Sequence, residues 1–226
     1  MSAYNVLLSV GGMLLPALIL LAFAHETSGT TGFDAIQPMS ASTFKCLAYN
    51  NMKFFIGRVW ESVGNYDFTG IQNIKNARAG GIEYVDGYIF PCLKSSCAPA
   101  KNQVEATINR LRADGAKIGM LWMDIERLEW PANHEHNRQF ITDMVNEAEK
   151  MGVKVGIYSN YYNWEEIVGL DWTAMSKYPL WWANYNGEPG YEKYREFGGW
   201  TKPSIHQYEG NKAGPCGVQL DYNWYP

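Results

Sequence analysis

Two carboxylates one residue apart, Asp124 and Glu126, end an otherwise apolar run, Ile118–Glu126 (IGMLWMDIE). In an extended strand, side chains two apart share a face. Met120, Trp122, Asp124 and Glu126 therefore point one way, and Leu121, Met123 and Ile125 the other. Burying one ionised carboxylate is costly and a close neighbour adds repulsion, which raises at least one pKa. A fold carries such a pair mainly where it is used. Other acids repeat the placement: Asp34 closes the first apolar run, Glu61 follows Phe54–Trp60, and Asp221 lies in Val218–Asn223. Tyr88, Trp182, Asn184, Gln207 and Tyr208 also fall near the ends of such runs. Acids ringed by aromatics suit glycosidic bond cleavage. One carboxyl group protonates the leaving oxygen, others stabilise positive charge, and rings stack on pyranoses. Any single acid could instead cap a helix or pair with Arg58, Arg127 or Lys202. The Asp-x-Glu spacing inside an apolar strand is what tells against that.

The elements that must position these groups alternate. Strand-like runs cover 32–36, 54–60, 82–90, 118–126, 153–159, 180–185, 204–208 and 218–223. Helical patterns lie between the early ones: a helix capped by Ser40 and running to Tyr49, then 67–79 stopped by Gly80-Gly81, 101–113 ended by Gly115, 133–151 stopped by Gly152, and a short one at 164–168. Strands alternating with helices imply right-handed crossovers and a parallel sheet. Eight strands suggest closure into a single, irregular TIM-like (β/α) barrel, with helices reduced after the last three strands. An open doubly wound sheet is the alternative, but Gly32-Phe33-Asp34-Ala35 is no glycine-rich phosphate loop.

Composition sets outer limits. The 226 residues are 46% hydrophobic and 19% charged, with a net charge of −4, so the chain is globular and one domain of this size is stable alone. No basic block occurs, which argues against a nucleic-acid partner. Val6–Ala24 is almost wholly apolar, no charged residue precedes His25, and the run ends Ala22-Phe23-Ala24. That reads as a signal peptide over 1–24, a short linker over 25–31 and a barrel domain over 32–226. An uncleaved anchor is the alternative, disfavoured by Gly11-Gly12, Pro16 and the small-x-small end. An even count of four cysteines in a secreted chain implies two disulfides, for which three pairings exist. The favoured one is Cys92–Cys97 as a local staple and Cys46–Cys216 as a long-range one. No Cys-x-x-Cys occurs and His25, His134, His136 and His206 are poorly placed for a metal, so neither metal nor cofactor is expected.

With these residues in view, the chain resembles glycoside hydrolase family 25, the Chalaropsis-type lysozymes (N-acetylmuramidases). The landmarks run in order: Gly32-Phe33-Asp34, Ile56-Gly57-Arg58-Val59-Trp60-Glu61, Gly87-Tyr88, Met123-Asp124-Ile125-Glu126, Gly156-Ile157-Tyr158-Ser159, Leu180-Trp181-Trp182-Ala183, Gln207-Tyr208 and Leu220-Asp221-Tyr222-Asn223. The cysteines and signal peptide resemble the branch found in nematodes and amoebae. The resemblance implies cleavage of the β-1,4 bond between N-acetylmuramic acid and N-acetylglucosamine of bacterial peptidoglycan. It implies Glu126 as general acid and Asp124 as the group that orients or stabilises the 2-acetamido substituent. Asp34 and Asp221 would complete an acidic floor. Tyr88, Glu61, Tyr158, Trp182, Asn184, Gln207 and Tyr208 would bind substrate. Attack by the substrate's own acetamide oxygen is the expected route, and an inverting attack by water stays open. Three positions depart from the pattern: Ile89 where many members have His, His206 where many have Trp, and no Ser two residues after Asp34.

Three other readings remain. A chitinase-type barrel would carry an Asp two residues before Asp124, where Trp122 stands. A carbohydrate-binding barrel without catalysis would lack the acid, and Glu126 is intact. A metal-dependent deacetylase would need clustered histidines. The expected product is a secreted monomer with no lasting membrane association, in either a digestive or a defensive role.

Overall fold

The first strand, β1 (Thr30–Asp34), leads into helix α1 (Ala41–Tyr49), β2 (Phe54–Glu61), the short β3 (Asn65–Tyr66) and α2 (Phe68–Ala79). Then follow β4 (Tyr84–Ile89), α3 (Ala100–Ala113), β5 (Leu121–Asp124), α4 (His134–Lys150), β6 (Val155–Ser159) and α5 (Tyr161–Ile167). The chain finishes with β7 (Leu180–Ala183), β8 (Ile205–Ala213) and β9 (Gln219–Tyr225). This computed structural model describes residues 29–226. The signal peptide expected over 1–24 lies outside the described residues.

The strands close on themselves in the order β1-β9-β8-β7-β6-β5-β4-β2, with β2 pairing back to β1, while β3 hangs on β2 as a small hairpin. Seven of the eight staves are parallel; β9 runs antiparallel to both β8 and β1. The all-parallel expectation fails there for a simple reason. Residues 214–218 alone join β8 to β9, whereas a parallel return needs about a dozen residues or more. The reversal has a useful result: Asp221, near the start of β9, pairs in register with Asp34 at the end of β1.

Four of the five helices begin at a capping side chain, while α3 starts after Pro99 without one. Ser40 accepts from the Thr43 amide at 3.1 Å, Asp67 from Gly70 at 2.9 Å, Asn133 from His136 at 3.1 Å and Asn160 from Asn163 at 2.9 Å. Gly70 also lets α2 lie against β2, since a Cβ there would strike the Arg58 carbonyl oxygen.

Side-chain alternation makes two cores. Inside the barrel lie Phe54, Ile56, Tyr88, Trp122, Tyr158, Trp181 and Ile205. Between strands and helices lies a larger layer that includes Leu121, Met123 and Ile125, the face opposite Asp124 that the alternation predicts. After β7 no helix covers the sheet, and an aromatic layer does so instead. Trp164 stacks on Trp172 at 5.4 Å and meets Trp200 edge-on at 4.9 Å, while Trp182 stacks on His206 at 4.2 Å.

The chain's two disulfides are Cys92–Cys97 and Cys46–Cys216. The second ties α1 to the turn before β9 across a sequence separation of 170. Cross-linking so long a loop restricts the unfolded chain strongly. Replacing Cys46 and Cys216 together by Ala is expected to lower the unfolding free energy by about 3 kcal/mol, read as a lower urea midpoint with the native circular dichroism retained.

Candidate active site

At the carboxyl ends of the strands, where barrels of this kind place their chemistry, four acids converge. Asp124 ends β5 and is only 5% exposed. Glu126 follows it, its backbone carbonyl held by the Trp130 indole N–H at 2.9 Å. Asp34 Oδ1 accepts from Gln207 Nε2 at 2.8 Å and Asn223 Nδ2 at 2.7 Å. Both amides are turned by groups behind them. The Trp181 indole, a donor only, points at Asn223 Oδ1 from 2.6 Å. The hydroxyls of Tyr158 and Tyr185 lie 2.8 and 3.1 Å from Gln207 Oε1. With their carbonyl ends so claimed, the amides can offer Asp34 only their NH2 ends. Asp221 accepts from the Asn211 backbone amide at 2.6 Å.

This crowding sets the protonation. Burial and then the charge of Asp221 push Asp34 up to about 8, against the pull of its two amide donors. Burial, then Glu126 and Asp34, hold Asp124 well above the usual carboxylate range, with Arg58 pulling the other way. Glu126 is raised by burial and by Asp221. Burial raises Asp221 too, opposed by the Asn211 amide. Asp124 Oδ1 is buried and has no hydrogen-bond partner among the described residues. The arrangement can therefore keep a carboxylic acid protonated near neutral pH and has an acceptor to spare for a substrate donor.

Above the floor opens a cleft of about 470 Å³. Glu126 lines it, together with Tyr158, Tyr161, Tyr162, Asn184 and Tyr185. Tyr88 lies lower, inside the barrel, edge-on to Trp181 at 6.0 Å. The other residues marked out in the sequence are placed differently. Trp182 borders the cleft, but its ring is packed between His206 and Tyr194 and is 4% exposed, so it offers no face to a sugar. Tyr208 stacks on Tyr222, on the outer side of the sheet. Gln207 is buried and positions Asp34. Glu61 pairs with Arg58 at 3.3 Å, a guanidinium whose Nε is bound to Asp67 at 2.8 Å. The aromatic surfaces open to a ligand are tyrosines: Tyr162 is 63% and Tyr185 59% exposed. Tyr185, Asn223 and Trp181 are functional placements that the sequence reading passed over. For Tyr185 a signal existed, since Trp181, Ala183 and Tyr185 share one face of an extended β7.

A family model described as lysozyme-like protein 1 matches residues 25–208. Lysozyme-like protein 5 of Caenorhabditis elegans is 52% identical over 92% of this chain and 97% of its own length. Probable GH family 25 lysozyme 2 of Dictyostelium discoideum is 36% identical, over 93% of this chain and 98% of its own. The chain belongs to glycoside hydrolase family 25, the lysozymes. The solved muramidase from Trichobolus zukalii superposes with a TM-score of 0.68 at 21% identity, covering 87% of this chain and 93% of that one, a likeness of fold.

Within this family 25 barrel, the three departures lie away from the acids' contacts. Ile89 is fully buried in the layer outside the sheet. His206 sits under Trp182 with Nε2 2.9 Å from the Asn184 carbonyl, and burial lowers its pKa. Ile36, two after Asp34, is exposed.

The raised acids carry a stability signature. Folded Asp34 keeps its proton up to about pH 8, whereas the unfolded chain releases it near 3.8. The folded state thus binds more protons in that window, and this contribution to stability is lost as pH rises through it. Asp34→Asn is expected to flatten the loss. Thermal melts should show the variant gaining on the native chain as pH rises toward 8, with no gain near pH 4.

Proposed function

We propose that this chain is a secreted lysozyme that hydrolyses the β-1,4 bond between N-acetylmuramic acid and N-acetylglucosamine of bacterial peptidoglycan. The observation that carries the reading is the position of Glu126: it alone of the four acids lines the open cleft, and its proton is held there by burial and by Asp221. In the first step Glu126 gives its proton to the glycosidic oxygen as the bond to the anomeric carbon breaks. The substrate's acetamide oxygen attacks that carbon, while Asp124, with its unpartnered oxygen, accepts from the acetamide N–H and steadies the developing charge. Water then opens the cyclic intermediate and returns its proton to the Glu126 carboxylate. Asp34 and Asp221 keep the floor acidic, and Tyr88 and Tyr158 wall it. Asn184 and the exposed tyrosines border the glycan.

Secretion is supported by the apolar leader over 1–24 and by two disulfides, which persist in oxidising compartments. A sequence pI near 5.6 suits an acidic compartment, where the protein turns cationic and is drawn to anionic walls. Either a digestive or a defensive role fits that setting.

Glu126→Gln keeps shape and removes the transferable proton. Clearing of bacterial wall suspensions is expected to fall about 10²–10⁴-fold while the melting temperature holds. Mass analysis of released fragments should show new reducing ends at muramic acid; release from chitin alone would overturn the reading in favour of a chitinase. Activity should decline as pH rises through the elevated Glu126 pKa, so a maximum well above pH 7 counts against an acid in that role.

A further inference from the structure

One wall of the cleft is unlike the floor. Where the floor is acidic, the connection between β7 and β8 contributes two cations, Lys193 and Arg195. The Arg195 guanidinium carbon sits 3.7 Å from the centroid of the Tyr161 ring. Four of the other six arginines are bound to carboxylates, Arg58 to Asp67, Arg110 to Asp114, Arg127 to Glu166 and Arg138 to Asp171, while Arg78 and Arg112 donate to backbone carbonyls. Among the described residues Arg195 has neither a carboxylate nor a carbonyl partner for its guanidinium and rests on an aromatic face instead. Lys193 is held only by Glu188 at 3.7 Å, both largely exposed. The segment that carries them is pinned, although it has no helix. Tyr194 donates to the Trp200 carbonyl at 3.0 Å and packs edge-on to Trp182 at 5.2 Å. A guanidinium lying on a ring keeps its N–H edge free in the plane, the geometry that grips a carboxylate in bidentate fashion.

We propose that Arg195, seated on Tyr161 and assisted by Lys193, is a carboxylate-recognition element that selects glycans bearing acidic substituents over neutral ones. This rests on the muramidase reading of the same cleft and adds what the four acids do not explain. An uncharged β-1,4 N-acetylglucosamine chain has nothing for this wall to bind. A muramyl glycan carries a carboxylate beside its backbone, either on the lactyl ether or on the peptide attached to it. Placing cations on the wall and acids on the floor also keeps the anionic substituent away from the carboxyl cluster, where it would be repelled.

The test uses the full chain and Arg195→Gln, at an exposed position where folding is not at risk. The substrates are peptide-bearing wall glycan, the same glycan stripped of peptide by an amidase, and a chitooligosaccharide. The ratio of kcat/KM for acidic over neutral substrate is expected to fall about tenfold in Arg195→Gln, the scale of one charge-assisted contact. In the native chain, raised salt should shrink the same ratio. A fall on stripped glycan assigns the lactyl carboxylate; a fall confined to peptide-bearing glycan assigns the peptide. An unchanged ratio on both overturns the proposal. Binding of a soluble muropeptide and of the chitooligosaccharide to Glu126→Gln, with and without Arg195→Gln, separates the two ideas. If neither glycan is cleaved by the native chain, the muramidase reading fails. A selective loss of muropeptide binding still upholds Arg195, and equal binding rejects it.

Discussion

Everything at the active end of this barrel depends on holding several carboxyl groups together out of water. Asp34, Asp124, Glu126 and Asp221 come from three strands and one strand end; burial pushes each toward its neutral form, and neighbouring acids add to this at Asp34, Asp124 and Glu126. Ionised together, Asp34 and Asp221 would repel across the pairing of β1 with β9. Two amides oppose that. Asn223 and Gln207 place their donors on Asp34, and behind them an indole and two phenols fix which end of each amide faces inward. The interior aromatics therefore supply more than volume: they orient the polar layer on which the acids rest.

The same demand explains where the aromatic residues went. None of the nine tryptophans is exposed among the described residues. Trp122 and Trp181 fill the barrel, Trp164, Trp172, Trp182 and Trp200 build the aromatic layer, and the ligand-facing rings are left to tyrosine, whose hydroxyl tolerates water. The aromatics near the strand ends pointed to sugar binding for a reason that was only partly right, because large rings were also needed wherever regular helix packing was absent.

Legibility from sequence followed the same physics. The β5 face was readable because two acids marked it in an apolar run, and the caps at Ser40 and Asp67 were readable because capping is local. Within β7 the two faces were not legible. Leu180-Trp181-Trp182-Ala183 is apolar on both, so alternation left no trace of which ring turns inward; Trp181 does, while Trp182 borders the cleft with its ring packed between His206 and Tyr194. The direction of β9 was also missed, since period-two patterning carries no polarity; the short link from β8 was the available signal. The amide relay to Asp34 joins residues 173 and 189 positions apart, and no local pattern encodes such a contact.

The reversed stave has a temporal side. β9 follows every other stave in sequence, yet it seals the barrel against β1 and carries both Asp221 and the Asn223 that steadies Asp34. As the chain is synthesised, the preceding staves can form an open, curved sheet whose acids are still hydrated and unshifted. The acidic floor is complete only with β9 paired to β1, over the longest separation in the molecule's sheet. Closure of the barrel and assembly of the acidic floor depend on the same strand, and a chain lacking β9 would hold Glu126 without the Asp221 that helps sustain its proton.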